Sequence, residues 1–158
     1  MDYTIREITK TEYAVLSDFL YEAIYIPNGT LPPDKAIVQK PELQVYVEDF
    51  GGRPDDRCLV AEADGKIVGA VWVRIMNDYG HIDDETPSFA ISLYKEYRGL
   101  GIGTELMMKM LSLLKEHGYQ KASLSVQKGN YAAKMYLKIG FVIVDESAEE
   151  YIMVYSLQ

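Results

Sequence analysis

Some residues in this chain have the types and spacing to do chemistry. Foremost is the run Arg98-Gly99-Leu100-Gly101-Ile102-Gly103-Thr104, where alternating glycines follow a strand-like segment and open a long amphipathic pattern. Glycine lets backbone N–H groups approach a ligand, and a helix start leaves its first N–H groups without partners. Together they make an anion cradle suited to a phosphate or pyrophosphate. Downstream, the spacing Asn130-x-Ala132-x3-Tyr136-x3-Gly140-Phe141 places an amide and a phenol on or beside a second helix start. Asp83, Asp84 and Glu85 form an acidic cluster, where like-charge crowding is expected to raise one carboxylate toward a useful range for proton transfer. His81 with these flexible acids is a poor donor set, so no metal is expected.

The spacing of the glycines decides between kinds of cradle. A Walker loop needs a lysine directly after its last glycine, and Thr104 stands there instead. A dinucleotide fingerprint needs G-x-G-x-x-G and an acid about twenty residues on. This chain has G-x-G-x-G, and Tyr119, Gln120 and Lys121 occupy the later region. The remaining pattern, Arg98-x-x-Gly101-x-Gly103 after a strand and then the Asn130-to-Phe141 motif after the next strand, resembles the GNAT superfamily of N-acetyltransferases. The resemblance covers the whole chain in element order and is strongest from Ile91 to Val144.

That resemblance implies a cosubstrate, acetyl-coenzyme A, with its pyrophosphate on the N–H groups of Arg98, Gly99, Leu100, Gly101, Ile102, Gly103 and Thr104. It implies that the fourth and fifth strands splay apart and admit the pantetheine arm, whose amides pair with backbone groups of Ile91 and Leu93. Asn130 is expected to contact that arm, and Lys128, Lys134 and Lys138 are candidates for the 3′-phosphate. Tyr136 occupies the position whose hydroxyl lies near the sulfur, as general acid to the thiolate. Glu85 occupies the position of a carboxylate that acts as base through water, and a backbone N–H of Leu93 or Tyr94 is expected to meet the oxyanion. The implied reaction is acetyl transfer to a small-molecule or peptide amine by direct attack in a ternary complex. A non-catalytic coenzyme-A-binding domain and an enzyme using another acyl group remain open alternatives.

The elements that must position these groups are legible as alternation and periodicity. Strands are predicted over Tyr3–Ile8, Arg57–Ala63, Lys66–Ile75, Pro87–Tyr94, Ala122–Val126, Phe141–Val144 and Tyr151–Tyr155. Asp64-Gly65 joins the second and third as a hairpin. Helices are predicted from Thr9 to Ile24 with a Thr9/Glu12 capping box, from Pro41 toward Gly51, from Ile102 to Gly118, and from Asn130 to Gly140. The result is one α+β domain over residues 1–158, a mixed but mostly antiparallel twisted sheet of about seven strands flanked by about four helices. Tyr21, Tyr25, Tyr46 and Tyr79 are candidates to line the acceptor pocket, since tyrosine joins a rigid apolar body to a polar tip.

Bulk composition bounds the partners. The net charge of −8 argues against nucleic acid, which needs clustered Lys and Arg. It also means that any polyanion in the cradle is held by local dipoles against the global field. No apolar run is long enough to span a bilayer and the first residues lack a signal-peptide core, so no membrane partner and a cytoplasmic location are expected. Cys58, the single cysteine, sits in a strand-like run and is expected to be a buried hydrophobe. A homodimer is the expected oligomer, because two-fold symmetry is the commonest.

Overall fold

The computed structural model describes residues 2–158. Its strands are β1 (Thr4–Glu7), β2 (Arg57–Ala63), β3 (Lys66–Arg74), β4 (Ser88–Leu93), β5 (Lys121–Gln127), β6 (Val142–Glu146) and β7 (Glu150–Ser156). Its α-helices are α1 (Val15–Glu22), α2 (Pro41–Gln44), α3 (Ile102–Glu116) and α4 (Ala132–Ile139). The sheet order is β1-β2-β3-β4-β5-β7-β6. All neighbours are antiparallel except β4 and β5. The β2–β3 hairpin turns on Asp64 and Gly65, both at positive φ (52° and 76°), the backbone a tight primed turn requires.

The parallel pair is where the sheet opens. Only Ser88 and Ser123 are in register between β4 and β5, fixed by the Ser123 N–H donating to the Pro87 carbonyl at 3.0 Å. Beyond that point the strands part and leave two facing edges.

Each face of the sheet buries its own core. On one face α3 and α4 cover Leu59, Val71, Val73, Phe89, Leu124 and Met153 with Ile102, Leu106, Met107, Met110 and Leu114. On the other, Leu16, Phe19 and Leu20 of α1 pack with Val38 and Phe50 on Cys58, Val60, Ala70 and Trp72. The helix α3 carries its apolar residues at 3.6-residue spacing, which is why one stripe is buried and Glu105 and Lys109 (3.9 Å apart) stay outside.

Two helices are shorter than the sequence suggests. The Thr9 N–H does donate to Glu12 Oε1 (2.9 Å), but that first turn is a 3-10 segment, Lys10–Glu12. The α-helical register starts at Val15, beside Leu16, the first residue whose burial can stabilise it. After α2 the chain continues only as turns to Gly51-Gly52. Here core side chains capture carbonyls that a longer helix would use: Arg74 Nη1 donates to Val45 O (3.0 Å) and Glu48 O (2.9 Å), and Trp72 Nε1 donates to Tyr46 O (3.0 Å). Arg74 is fully buried and also forks onto Asp56, with both pair members at 0% exposure. An additional 3-10 segment, Lys35–Gln39, capped by Asp34 on the Ala36 N–H (2.8 Å), was not apparent from periodicity.

Candidate active site

The cradle has the backbone its glycines allow. Gly99 and Gly101 sit at φ 75° and 89°, and a side chain is strained at either position. Gly103 lies inside the first turn of α3, where a Cβ would stand 3.3 Å from Leu93 Cδ1. The turn thus brings unshielded backbone to the mouth of a groove of about 2020 Å³. That groove runs from Arg98, Gly99, Gly101, Gly103 and Thr104 through the β4–β5 opening to Asn130 and Tyr136.

The strand edge at the opening follows from the hydrogen-bond ladder. The Tyr94 N–H donates to Val68 O at 3.0 Å, and Ser92 and Ala90 stand opposite Ala70 and Trp72. Backbone groups alternate sides in an antiparallel pair, so Tyr94, Ser92 and Ala90 spend theirs on β3 while Ile91 and Leu93 turn theirs to the cleft. Tyr94 therefore drops out as an oxyanion donor: its N–H is already engaged. The Leu93 carbonyl accepts from Arg98 Nε (2.9 Å), which leaves the Leu93 N–H as the polar group facing the opening.

The Arg98 side chain is engaged within the protein. Its guanidinium turns back onto Leu93 O and onto Glu22 Oε1 (3.1 Å), so its side chain ties the cradle to the end of α1. Anion attraction at this end thus falls to the backbone, with Lys95, Lys134 and Lys138 along the groove. Lys128 is committed elsewhere, to Glu146 (3.5 Å) and the face of Tyr151.

Asn130 Oδ1 accepts from the Ala132 N–H (2.9 Å) and so caps α4 while lining the groove. Tyr136 lies on the buried side of α4, against Phe141, and also lines the groove. Burial alone pushes its phenol well above the ordinary tyrosine value, with no charge or hydrogen bond contributing. The hydroxyl is therefore held protonated across the physiological range.

Glu85 is not brought to this cleft. It lines a separate depression with Asp83, Asp84, His117 and Tyr119, at the C-terminal end of α3. The cradle is at the N-terminal end of the same 15-residue helix, about 22 Å away along its axis. At Asp83 the shift runs opposite to the expected crowding. Asp83 is held below the usual carboxylate range, by the Thr86 hydroxyl first and the Glu85 N–H next. Among the described residues, no group of three or more His, Cys, Asp or Glu side chains is arranged to hold a metal.

Other groups do reach the cleft, on the sheet face opposite Tyr136. Ser88 and Ser92 of β4 and Ser123 and Ser125 of β5 share that face. Ser92 Oγ donates to Phe19 O (2.6 Å), and Ser123 Oγ to Gly80 O (2.7 Å). Tyr46, Tyr79, Ser125, Gln127 and Glu150 line the groove there, with Tyr21 and Tyr25 on its outer wall. The one sequence signal for this floor was the alternation Ser88-x-Ala90-x-Ser92 and Ser123-x-Ser125-x-Gln127, small polar residues interleaved with apolar ones.

Comparison with known proteins assigns the architecture. The model of the acetyltransferase (GNAT) family matches residues 21–141. The chain belongs to the GNAT family. An uncharacterized N-acetyltransferase of Archaeoglobus fulgidus is 30% identical over 137 residues, covering 82% of this chain and 88% of that protein. The [ribosomal protein bS18]-alanine N-acetyltransferase of Haemophilus influenzae is 42% identical over 62 residues, 39% of this chain and 42% of its own length. The same fold, at TM-score 0.73 and 20% identity, is seen in PaiA N-acetyltransferase from Thermoplasma acidophilum in complex with coenzyme A, over 99% of both chains. The seven-stranded mixed sheet with its β4–β5 opening is thus a GNAT fold.

Proposed function

We propose that this protein is an acetyl-coenzyme A-dependent N-acetyltransferase that moves an acetyl group to a primary amine by direct attack in a ternary complex. One observation carries the reading: a single groove joins the glycine cradle, the strand edge of Ile91 and Leu93, and Tyr136. The residues fit coenzyme A. The open backbone at Gly99 and Gly101 and the crowded Gly103 suit a pyrophosphate on N–H groups from Arg98 to Thr104. Asn130 and the cleft-facing edge of Ile91 and Leu93 suit the amide-bearing arm, and Lys134 or Lys138 suits its 3′-phosphate.

The bound thioester supplies an activated acetyl carbonyl and a sulfur leaving group. The Leu93 N–H is the backbone donor for charge developing on the carbonyl oxygen. Tyr136 presents a proton to the departing sulfur. Because burial makes its phenol a weaker acid than a thiol, full transfer requires Tyr136 to recover a proton from the acceptor nitrogen in the same event. In the plainer role, its O–H stabilises the thiolate by hydrogen bonding.

A cytoplasmic site of action accords with the buried, unpaired Cys58. Among the described residues no helix is long and apolar enough to cross a membrane. The exposed Val142, Ile143 and Val144 of edge strand β6 support a homodimer, which light scattering would read. The test of the reaction is thiol release from acetyl-coenzyme A with an amine panel. Binding without release for any amine or acyl chain would instead identify a coenzyme-A-binding module. Release with a longer acyl chain in preference to acetyl would move the assignment to another acyltransferase.

A further inference from the structure

The sheet face opposite Tyr136 holds a polar floor that the reaction above does not use. Tyr46 stands at its centre on a backbone pinned from two sides. Trp72 Nε1 holds Tyr46 O (3.0 Å), and the buried Arg74 holds Val45 O (3.0 Å) and Glu48 O (2.9 Å). Behind it, Asp78 accepts from Ser88 Oγ at 3.0 Å. Glu150 opens β7 directly opposite Gln127, whose Nε2 lies 3.4 Å from its Oε1. Glu150 and Tyr46 both line the groove. A phenol on a pinned backbone and a half-buried carboxylate thus line the same floor of the groove, a pairing whose chemistry suits an ammonium.

The cation at the wall of this floor is already engaged: Arg98 Nη2 lies 3.1 Å from Glu22 Oε1. Leu20, Tyr21, Ile24, Tyr25, Leu43 and Tyr79 give the rest of that wall apolar and phenolic surface. Of the groove's other basic residues, Lys95 lies in the 3-10 segment Lys95–Tyr97, and Lys134 and Lys138 lie on α4. Lys35 stacks on Tyr21 at 6.0 Å without lining the groove. A carboxylate beside the acceptor nitrogen would face Glu150 and Asp78, with Arg98 already held by Glu22.

We propose that Glu150 anchors the acceptor ammonium and takes its proton, and that the cleft selects primary amines on an uncharged apolar body with no carboxylate beside the nitrogen. The proposal rests on the acetyltransferase reading. As the N–C bond forms and the C–S bond breaks, two protons leave the nitrogen. One goes to a Glu150 oxygen and on to solvent, and the other ends on sulfur at Tyr136. The groups facing Glu150 are Tyr46 from the α2 turn, Asp78 behind it, Gln127 on β5 and Glu149 in its own hairpin. Lys128 is drawn off to Glu146. Burial first, and Glu149 second, raise the Glu150 carboxyl, which suits it to accept a proton and let it go.

The test compares phenethylamine, phenylalaninamide and phenylalanine as acceptors, in wild type and Glu150→Gln, after acetyl-coenzyme A binding has been measured for both. The first two amines represent free monoamines and peptide N-termini, and phenylalanine adds only the carboxylate. Wild type should acetylate phenethylamine or phenylalaninamide at least about 10-fold faster than phenylalanine, and whichever leads names the source. Glu150→Gln should bind acetyl-coenzyme A within about twofold of wild type. It should bind phenethylamine in the coenzyme A complex at least about 10-fold more weakly, and lose about 100-fold in kcat/KM. Its rate should rise in proportion to free amine as pH increases, whereas Glu150→Asp recovers part of the wild-type profile. Equal or better use of phenylalanine overturns the selectivity. An unchanged pH profile and amine affinity in Glu150→Gln overturn the role of Glu150 alone. Failure of acetyl-coenzyme A to bind wild type overturns the parent reading instead.

Discussion

The two ends of the cleft recognise in different currencies. At the cradle end the backbone does the work: Gly99 and Gly101 at positive φ, the first turn of α3, and the free edge of Ile91 and Leu93. At the floor end side chains do it: Tyr46, Ser125, Gln127 and Glu150 project from a segment and strands that buried polar contacts hold in place. A backbone site needs glycine at fixed spacing and tolerates little else. A side-chain site is set by which residues meet across two strands and a turn, and sequence spacing does not record such meetings. In the proposed reaction, the difference assigns a backbone-built end to the cosubstrate and a side-chain-built end to the acceptor.

The strongest way to break the comparison is to insert a side chain at the cradle. Gly101→Val places a β-branched residue at φ 89°, where strain costs about 1–3 kcal/mol and displaced N–H groups lose charge-assisted bonds to a phosphate. Titration calorimetry should show acetyl-coenzyme A affinity reduced roughly 1000-fold, with the fold retained by circular dichroism. Next, Tyr136→Phe should lower kcat about 100-fold while acetyl-coenzyme A affinity stays within about twofold. A loss confined to KM would mean that the hydroxyl only binds.

How much of this was legible in the chain follows the same division. The cradle, β4, α3 and α4 were readable because Arg98-x-x-Gly101-x-Gly103 and the α3 stripe are local patterns with one physical meaning. The opening between β4 and β5 came from the resemblance, and the single Ser88–Ser123 register pair is its physical form. The turn segment after α2 was misread as helix because its carbonyls are taken by Trp72 and Arg74, more than twenty residues away. Glu150 was invisible for a similar reason: only the β5–β7 pairing places it beside Gln127 and the cleft. Glu85 was favoured by its position before β4, and the structure places it in a depression at the C-terminal end of α3, outside the residues that line the groove.

Acid should separate the two ends by stability. Glu12 joins Arg6 through two bonds (2.9 and 2.8 Å) at the entry to α1, and its carboxyl is lowered to about 2, by Arg6 first and the Thr9 N–H next. A carboxyl lowered on folding contributes stability above its unfolded value of 4.5, and that contribution fades as pH falls from there toward about 2. Hydrogen exchange should therefore show α1 loosening before α3 across that window, and Glu12→Gln should cost about 1 kcal/mol at neutral pH. Simultaneous loosening of both helices would mean that the acceptor wall has no separate stability. The smallest effect is expected for Glu85→Gln, less than about twofold in kcat/KM with the pH profile unchanged, because it lies outside the cleft.

The central claim is that the glycine turn and the β4–β5 opening form an acetyl-coenzyme A site. Titration calorimetry of acetyl-coenzyme A into wild type and Gly101→Val tests it most directly. Saturable binding of one ligand per chain, accompanied by a raised melting temperature and lost in the variant, is the predicted result. Folded wild-type protein that takes up no acetyl-coenzyme A, or a variant that binds as tightly as wild type, would contradict it.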